Sequence, residues 1–235
     1  MIVSTLRRFR ELKVQIEKLY SRSKTSGFKV TFEGKAPFFL KVFHHPLNLK
    51  RFLTGFFLTR PQREFKFSSV LRKKGFPVPE VVSFRLKKIW GVLPVNVGCT
   101  KSVYLEGLIP LDKLLGSGDF EVYFEEAITL LARLHREGFI HRDASLSNFA
   151  LYRGEVYLID LEGIVEVFPL LPFSRFRNFL NFINDVLKHG YKVNPEKVLE
   201  LYLKEFRFPF GRKYLSSKLS ALLRRRGVEG FNNSA

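Results

Sequence analysis

The chain has 235 residues, 46% of them apolar, which suits one large domain or two small ones and excludes wholesale disorder. It carries 40 Lys and Arg against 22 Asp and Glu, a net charge of +18, and so calls for an anionic partner: nucleic acid, a membrane surface or a phosphorylated small molecule. The lone cysteine, Cys99, rules out an internal disulfide. The longest apolar run, Val167–Phe173, is far short of the ~20 residues of a membrane span, and charge around Arg7, Arg8 and Arg10 breaks up any secretory signal, so the expected location is cytoplasmic.

The charge is unevenly placed. Residues 1–107 hold 22 Lys and Arg against 6 Asp and Glu, a net +16, while residues 108–235 hold 18 against 16. With no internal repeat, low-complexity tract or Gly/Ser linker, the expected organisation is two lobes, 1–107 and 108–235, of a single domain.

In the first half, Leu12, Val14 and Ile16 alternate with polar residues, and Phe28, Val30 and Phe32 repeat the period-2 pattern of a half-buried strand. Gly34-Lys35 supplies a turn and Phe38–Phe43 a third strand, giving an antiparallel meander before residue 45. A helix follows from Pro61 to about Lys74, closed by Gly75, and apolar stretches at Val81–Phe84 and Val103–Leu105 extend the sheet. In the second half, Asp119 can cap a helix with Ala127, Leu130, Leu131 and Leu134 at helical spacing and Gly138 at its end. A hairpin follows: Phe149–Tyr152, the turn Arg153-Gly154, then Val156–Ile159. Helical patterns near 174–188, 195–206 and 213–226 complete an α+β arrangement.

The segment that carries chemistry is His141-Arg142-Asp143-Ala144-Ser145-Leu146-Ser147-Asn148, followed after the hairpin by Asp160-Leu161-Glu162-Gly163. If the hairpin turns symmetrically about Gly154, Asn148 stands opposite Asp160, with Cα atoms ~4.5–5.5 Å apart. An amide oxygen and a carboxylate at that separation suit Mg²⁺, which takes a few protein oxygens and completes its shell with phosphate and water. Asp143, in the loop leading to the same end, is placed to accept a proton from a hydroxyl nucleophile. The plain alternative is a surface hairpin with incidental polar residues at its mouth, against which the motif's specific spacing counts.

This segment resembles the catalytic loop of the protein-kinase-like superfamily, His-Arg-Asp with Asn five residues on, and Asp160-Leu161-Glu162 stands where those proteins have Asp-Phe-Gly. Phe38-Phe39-Leu40-Lys41-Val42 is similar to the strand bearing the phosphate-binding lysine, and Glu64 lies on the next helix, where the partner of that lysine belongs. Within the superfamily the chain resembles the lipopolysaccharide core sugar kinases, the 3-deoxy-D-manno-octulosonic acid kinase and heptose kinase family. The phrases that carry this are Phe39-Leu40-Lys41, the run from Arg63-Glu64 to Gly75-Phe76-Pro77-Val78-Pro79, Leu134-His135-Arg136-Glu137-Gly138-Phe139-Ile140-His141-Arg142-Asp143, and Tyr157-Leu158-Ile159-Asp160-Leu161.

The resemblance implies a two-lobed fold with a small antiparallel β-rich first lobe and a mainly helical second lobe. It implies ATP and Mg²⁺ as cofactors, with Lys41 and Glu64 on the α/β phosphates, Asn148 and Asp160 on the metal, Asp143 as the base, and adenine against the backbone from Glu106 to Leu108. His141 is expected as a buried structural histidine and Arg142 as an internal brace. Three departures stand out: the Tyr20–Gly27 segment keeps one glycine where phosphates would be covered, Glu162 replaces a glycine after Asp160, and Asn178 stands where a bracing aspartate belongs. No Ala-Pro-Glu occurs, and Gly163–Phe173 is too short for a peptide platform, so the acceptor implied is a sugar or an anionic glycolipid, with the chain peripheral at the inner face of an anionic membrane. The contrary reading is an atypical protein kinase (RIO/Bud-like) or a kinase-fold protein that binds RNA or ribosomes. Most of the 26 Phe fall in apolar-periodic positions, as core and not as base-stacking platforms, which counts against nucleic acid.

Overall fold

The computed structural model describes residues 14–44, 58–89, 93–167, 172–208 and 211–226. Leu12 and His45 lie outside them, as does most of the apolar run before Phe173. Chain contacts divide the protein into two compact units, Met1–Glu106 and Gly107–Ala235.

The first unit is a five-stranded antiparallel sheet in the order β1-β2-β3-β5-β4, with β1 at Val14–Ser21, β2 at Thr25–Phe32, β3 at Phe38–Phe43, β4 at Val81–Ile89 and β5 at Leu93–Val103. The meander's strands are where the alternation predicts, but β1 is exposed along nearly its whole length and lacks the half-buried face expected of it. The expected strand over Val103–Leu105 is displaced: β5 ends at Val103, because it pairs with β3 along Gly98–Val103 and with β4 along its length. Tyr20–Gly27, expected as a loop, is mostly strand: Arg22 and Thr25 exchange backbone hydrogen bonds of 2.8 and 3.3 Å across a tight turn, and Tyr20 pairs with Gly27. Helix α1 (Arg60–Lys73) starts at Thr59, whose backbone N–H and hydroxyl both donate to Gln62 Oε1 at 2.9 and 2.8 Å. It is docked on β4 by Ser68, whose hydroxyl donates to Pro79 O at 2.7 Å and accepts from Val81 N–H at 2.9 Å, and by Phe65 against Phe84.

The second unit is built on α2 (Phe120–Arg136), whose buried Ala127, Ile128, Leu130, Leu131 and Leu134 form the apolar stripe expected from their spacing. Truncating one of the larger side chains to Ala costs about 2–5 kcal/mol. Asp119 occupies the N-cap position, yet its side chain makes no capping bond. Helices α3 (Pro172–Lys188), α4 (Pro195–Glu205) and α5 (Arg212–Arg225) follow, and α4 is capped by Asn194 Oδ1, which accepts from the N–H groups of Glu196 and Lys197. Two small sheets complete the unit. Strand β6 (Ile109–Pro110) pairs with β8 (Phe149–Tyr152), which pairs with β9 (Glu155–Leu158), while β7 (Phe139–His141) pairs with β10 (Ile164–Glu166). The three short strands β6, β7 and β10 are too brief to show periodicity and are not legible in the sequence.

Candidate active site

In the first unit Lys41 sits on β3 between Gly27 of β2 and Thr100 of β5, and its side chain is only 6% exposed. Its ammonium lies 3.1 Å from Oε2 of Glu64 on α1, itself 9% exposed, and 5.2 Å from the Phe43 ring. Burying a lysine is costly unless its charge is met, and here a buried carboxylate from the neighbouring helix meets it. The sequence pairs these two residues, and the structure brings them together. Glu106, at the end of this unit, is 74% exposed and bonds Lys29 Nζ at 3.1 Å; Leu108, at the start of the next, is half-buried.

In the second unit the hairpin closes one residue earlier than expected. Tyr152 pairs with Glu155 and Phe149 with Leu158, so the turn holds two residues, Arg153 (φ 52°) and Gly154 (φ 83°), and not one central glycine. Two successive positive φ values match the twist of the flanking strands, which is why the register settles there. Asn148 is therefore level with Ile159, whose N–H donates to Asn148 O at 2.9 Å, and the direct opposition of Asn148 and Asp160 is corrected. Asp160 lies two residues past the end of β9 in a left-handed conformation (φ 58°, ψ 48°), and leads into a 3-10 turn at Leu161–Gly163. The chain thus reverses at Asp160, and Glu162, placed where a glycine was expected, needs no positive φ.

Asn148 Nδ2 donates to Asp143 O at 2.7 Å, tying the two ends of the loop. That bond fixes the amide orientation and leaves Oδ1 as the atom for a cation. Asp143 itself is exposed. Arg142, expected as an internal brace, is exposed too, and only its backbone N–H takes part, donating to Gly163 O at 2.9 Å. His141 is fully buried as expected, and joins the two motifs: its Nε2–H donates to Asp160 O at 3.1 Å, while Ile164 pairs with it across β7 and β10. Gly163 is required by this contact, since a Cβ there would lie 2.8 Å from His141 Cε1.

Helix α3 braces the loop twice from one face, two turns apart. Asn178 Nδ2 donates to His141 O at 2.7 Å, and Asp185 Oδ2 accepts from Leu146 N–H at 2.9 Å. The amide at 178 supports the loop in place of the expected carboxylate, and its other end continues inward: Asn178 Oδ1 accepts from His135 Nε2–H at 3.0 Å, and His135 Nδ1 accepts from Tyr202 OH at 2.7 Å. His135 has no exposed surface, and burial pushes its pKa down to about 3, so it is the neutral Nε2–H tautomer; burial raises the Tyr202 phenol well above its ordinary value. Asp185, His135 and Tyr202 were missed from sequence. The 178/185 spacing on one helical face was the available signal for Asp185; the relay joins three helices far apart in the chain and left none.

The chain is similar to WaaP, solved in complex with acyl carrier protein, at a TM-score of 0.58 and 14% identity over 95% of this chain and 92% of that one. It is similar also to the Rio2 kinase of Chaetomium thermophilum, solved as an ADP/Mg²⁺-phosphoaspartate complex, at a TM-score of 0.56 and 15% identity over 96% of this chain and 75% of that one. The fold is protein-kinase-like. No protein-family model and no curated protein matches the chain. The likeness gives the α+β kinase-like architecture expected from the resemblance; activity and acceptor are argued from the residues.

Proposed function

We propose that this protein is an ATP-dependent phosphotransferase whose acceptor is a sugar hydroxyl of an anionic glycolipid, of the lipopolysaccharide inner-core type (3-deoxy-D-manno-octulosonic acid or heptose). The observation that carries the reading is the braced loop: Asn178 and Asp185 hold its backbone, so that Asp143 is presented exposed while Asn148, itself buried, spends its amide N–H on Asp143 O and keeps its amide oxygen as the acceptor end.

Lys41, held by Glu64, grips the α/β phosphates of ATP, and the backbone from Glu106 to Leu108 takes the adenine. The donor set of one amide oxygen and one carboxylate, Asn148 and Asp160, fits Mg²⁺, which when bound offsets charge on the phosphates. His141 fixes the position of Asp160 through its main-chain oxygen. Asp143 orients the acceptor hydroxyl and takes its proton as the hydroxyl oxygen attacks the γ-phosphorus in line and the bond from that phosphorus to the β,γ-bridging oxygen breaks, releasing ADP.

A sugar acceptor is supported over a peptide because only residues 164–171 separate the Leu161–Gly163 turn from α3, and the strand β10 occupies three of them. The net charge of +16 over residues 1–107 supports an anionic, membrane-borne acceptor, with the protein peripheral at the cytoplasmic face. The likeness to Rio2 keeps a protein-phosphorylating reading as the alternative. Incubating the protein with Mg-ATP and a panel of lipopolysaccharide core acceptors, with mass-spectrometric detection of phosphate, tests the proposal. Transfer to a core sugar that is lost in Asp143→Asn is expected; transfer to protein alone refutes it.

A further inference from the structure

The two faces of the first unit's sheet differ in chemistry. One face carries Lys41, Thr100 and Phe84 and packs on α1. The register assigns Ile16, Phe28, Phe32, Phe38, Leu40 and Val103 to the other face, because directly paired residues share a side. A solvated sheet face normally alternates to polar residues, and this one does not. Ile16 is 66% exposed and Val103 43%, Phe28, Phe32, Phe38 and Leu40 are half-buried, Val30 at the centre is buried beneath its neighbours, and among the described residues no helix of this unit packs on that side.

Among the described residues, the charged side chains that the register puts on this face include Lys18, Arg85 and Lys101, all exposed. Lys101 lays its ammonium 4.3 Å from the Phe38 ring, at the boundary between the apolar surface and solvent. No carboxylate is present on it: Glu17, the one acidic residue in the five strands, pairs with Lys29 on the α1 side. The face is thus mainly aliphatic and aromatic, with Lys18 and Arg85 on its two edge strands and Lys101 opposite Leu40 on an interior strand.

Three occupants answer to an exposed apolar face. A second copy would set Lys18, Arg85 and Lys101 against like charges in a unit that already carries +16, so self-association is opposed. A nucleic acid would meet the cations but leave Ile16, Leu40 and Val103 uncovered, and Phe32 and Phe38 are already stacked on each other at 5.9 Å. An anionic bilayer satisfies both chemistries: aliphatic groups enter the headgroup boundary while lysines reach phosphate at its surface.

We propose that this outer face of the sheet is the surface by which the protein seats on anionic lipid. The inference rests on the membrane-borne acceptor of the proposed function, and assigns it a surface. The test is co-sedimentation of the full chain with vesicles of phosphatidylethanolamine and phosphatidylglycerol, against vesicles of phosphatidylcholine alone. The native chain is expected to partition to the phosphatidylglycerol vesicles. Ile16→Asp should weaken that partition about tenfold, and each of Lys18→Gln and Lys101→Gln roughly fivefold, the factor equivalent to about 1 kcal/mol per basic residue at an anionic surface. Lys192→Gln, an exposed cation of the second unit, should leave it unchanged.

Far-UV circular dichroism checks that each variant is folded, and the lysine variants decide the matter if Ile16→Asp is not. Equal vesicle binding by all variants overturns the proposal, as does no preference for phosphatidylglycerol in the native chain. Phosphate transfer to a short soluble acceptor is measured in parallel and should survive in Ile16→Asp. Its absence from the native chain would refute phosphotransfer while leaving the vesicle result standing.

Discussion

His135 offers a stability test worked directly from the structure. The ring is fully buried between Asn178 and Tyr202 and stays neutral in the folded protein, with a pKa of about 3 against 6.5 when unfolded. Above pH 6.5 neither state holds the extra proton, and His135 gives stability no pH dependence. Below it the unfolded chain takes up a proton that the folded chain refuses, so stability is lost progressively from pH 6.5 down to about 3. At pH 5 the loss is about 2 kcal/mol, and at pH 4 about 3 kcal/mol. The perturbation is His135→Gln, which keeps an N–H donor for Asn178 and removes the titration. Urea unfolding midpoints of both proteins at pH 7 and pH 5 give the comparison. The variant is less stable at pH 7, since Tyr202 loses its acceptor, but its fall between the two pH values should be smaller than that of the native chain by about 2 kcal/mol. An identical fall in both proteins would falsify the assignment of a buried neutral His135.

Gly163→Ala should destabilise the protein by about 1–3 kcal/mol and reduce turnover, because the new methyl group meets the His141 ring; thermal unfolding and a transfer assay read the two effects. Lys41→Met removes the lysine charge that faces the buried Glu64 carboxylate and should cost up to about 3–5 kcal/mol in urea unfolding, much of which Lys41→Met with Glu64→Leu recovers; no recovery in the double variant argues against a coupled pair. Asp143→Asn should cut turnover by two or more orders of magnitude with ATP affinity retained in calorimetry, whereas Lys41→Ala weakens both. Asp160→Ala should abolish Mg²⁺-dependent transfer, and full activity of that variant in EDTA would remove the metal from the proposal.

The sequence by itself determined the elements whose signals are local. Alternation in β1–β3, the apolar stripe of α2 and the Arg153-Gly154 turn follow from side-chain period and backbone preference, so they are legible one window at a time. It also singled out the residues of the candidate site, because His141, Asp143, Asn148 and Asp160 fall in one short, specifically spaced stretch. Tertiary structure decided what depends on distance in the chain. The hairpin register turned on whether one or two residues occupy the turn, a difference that moved Asn148 opposite Ile159 and set Asp160 beyond the ladder in a left-handed bend. The bracing of the loop by Asn178 and Asp185, and the Tyr202–His135–Asn178 relay behind it, join helices that no sequence window spans. A hydrogen bond between residues 67 positions apart leaves no periodic trace, because each partner answers to its own helix and meets the other only when the helices pack.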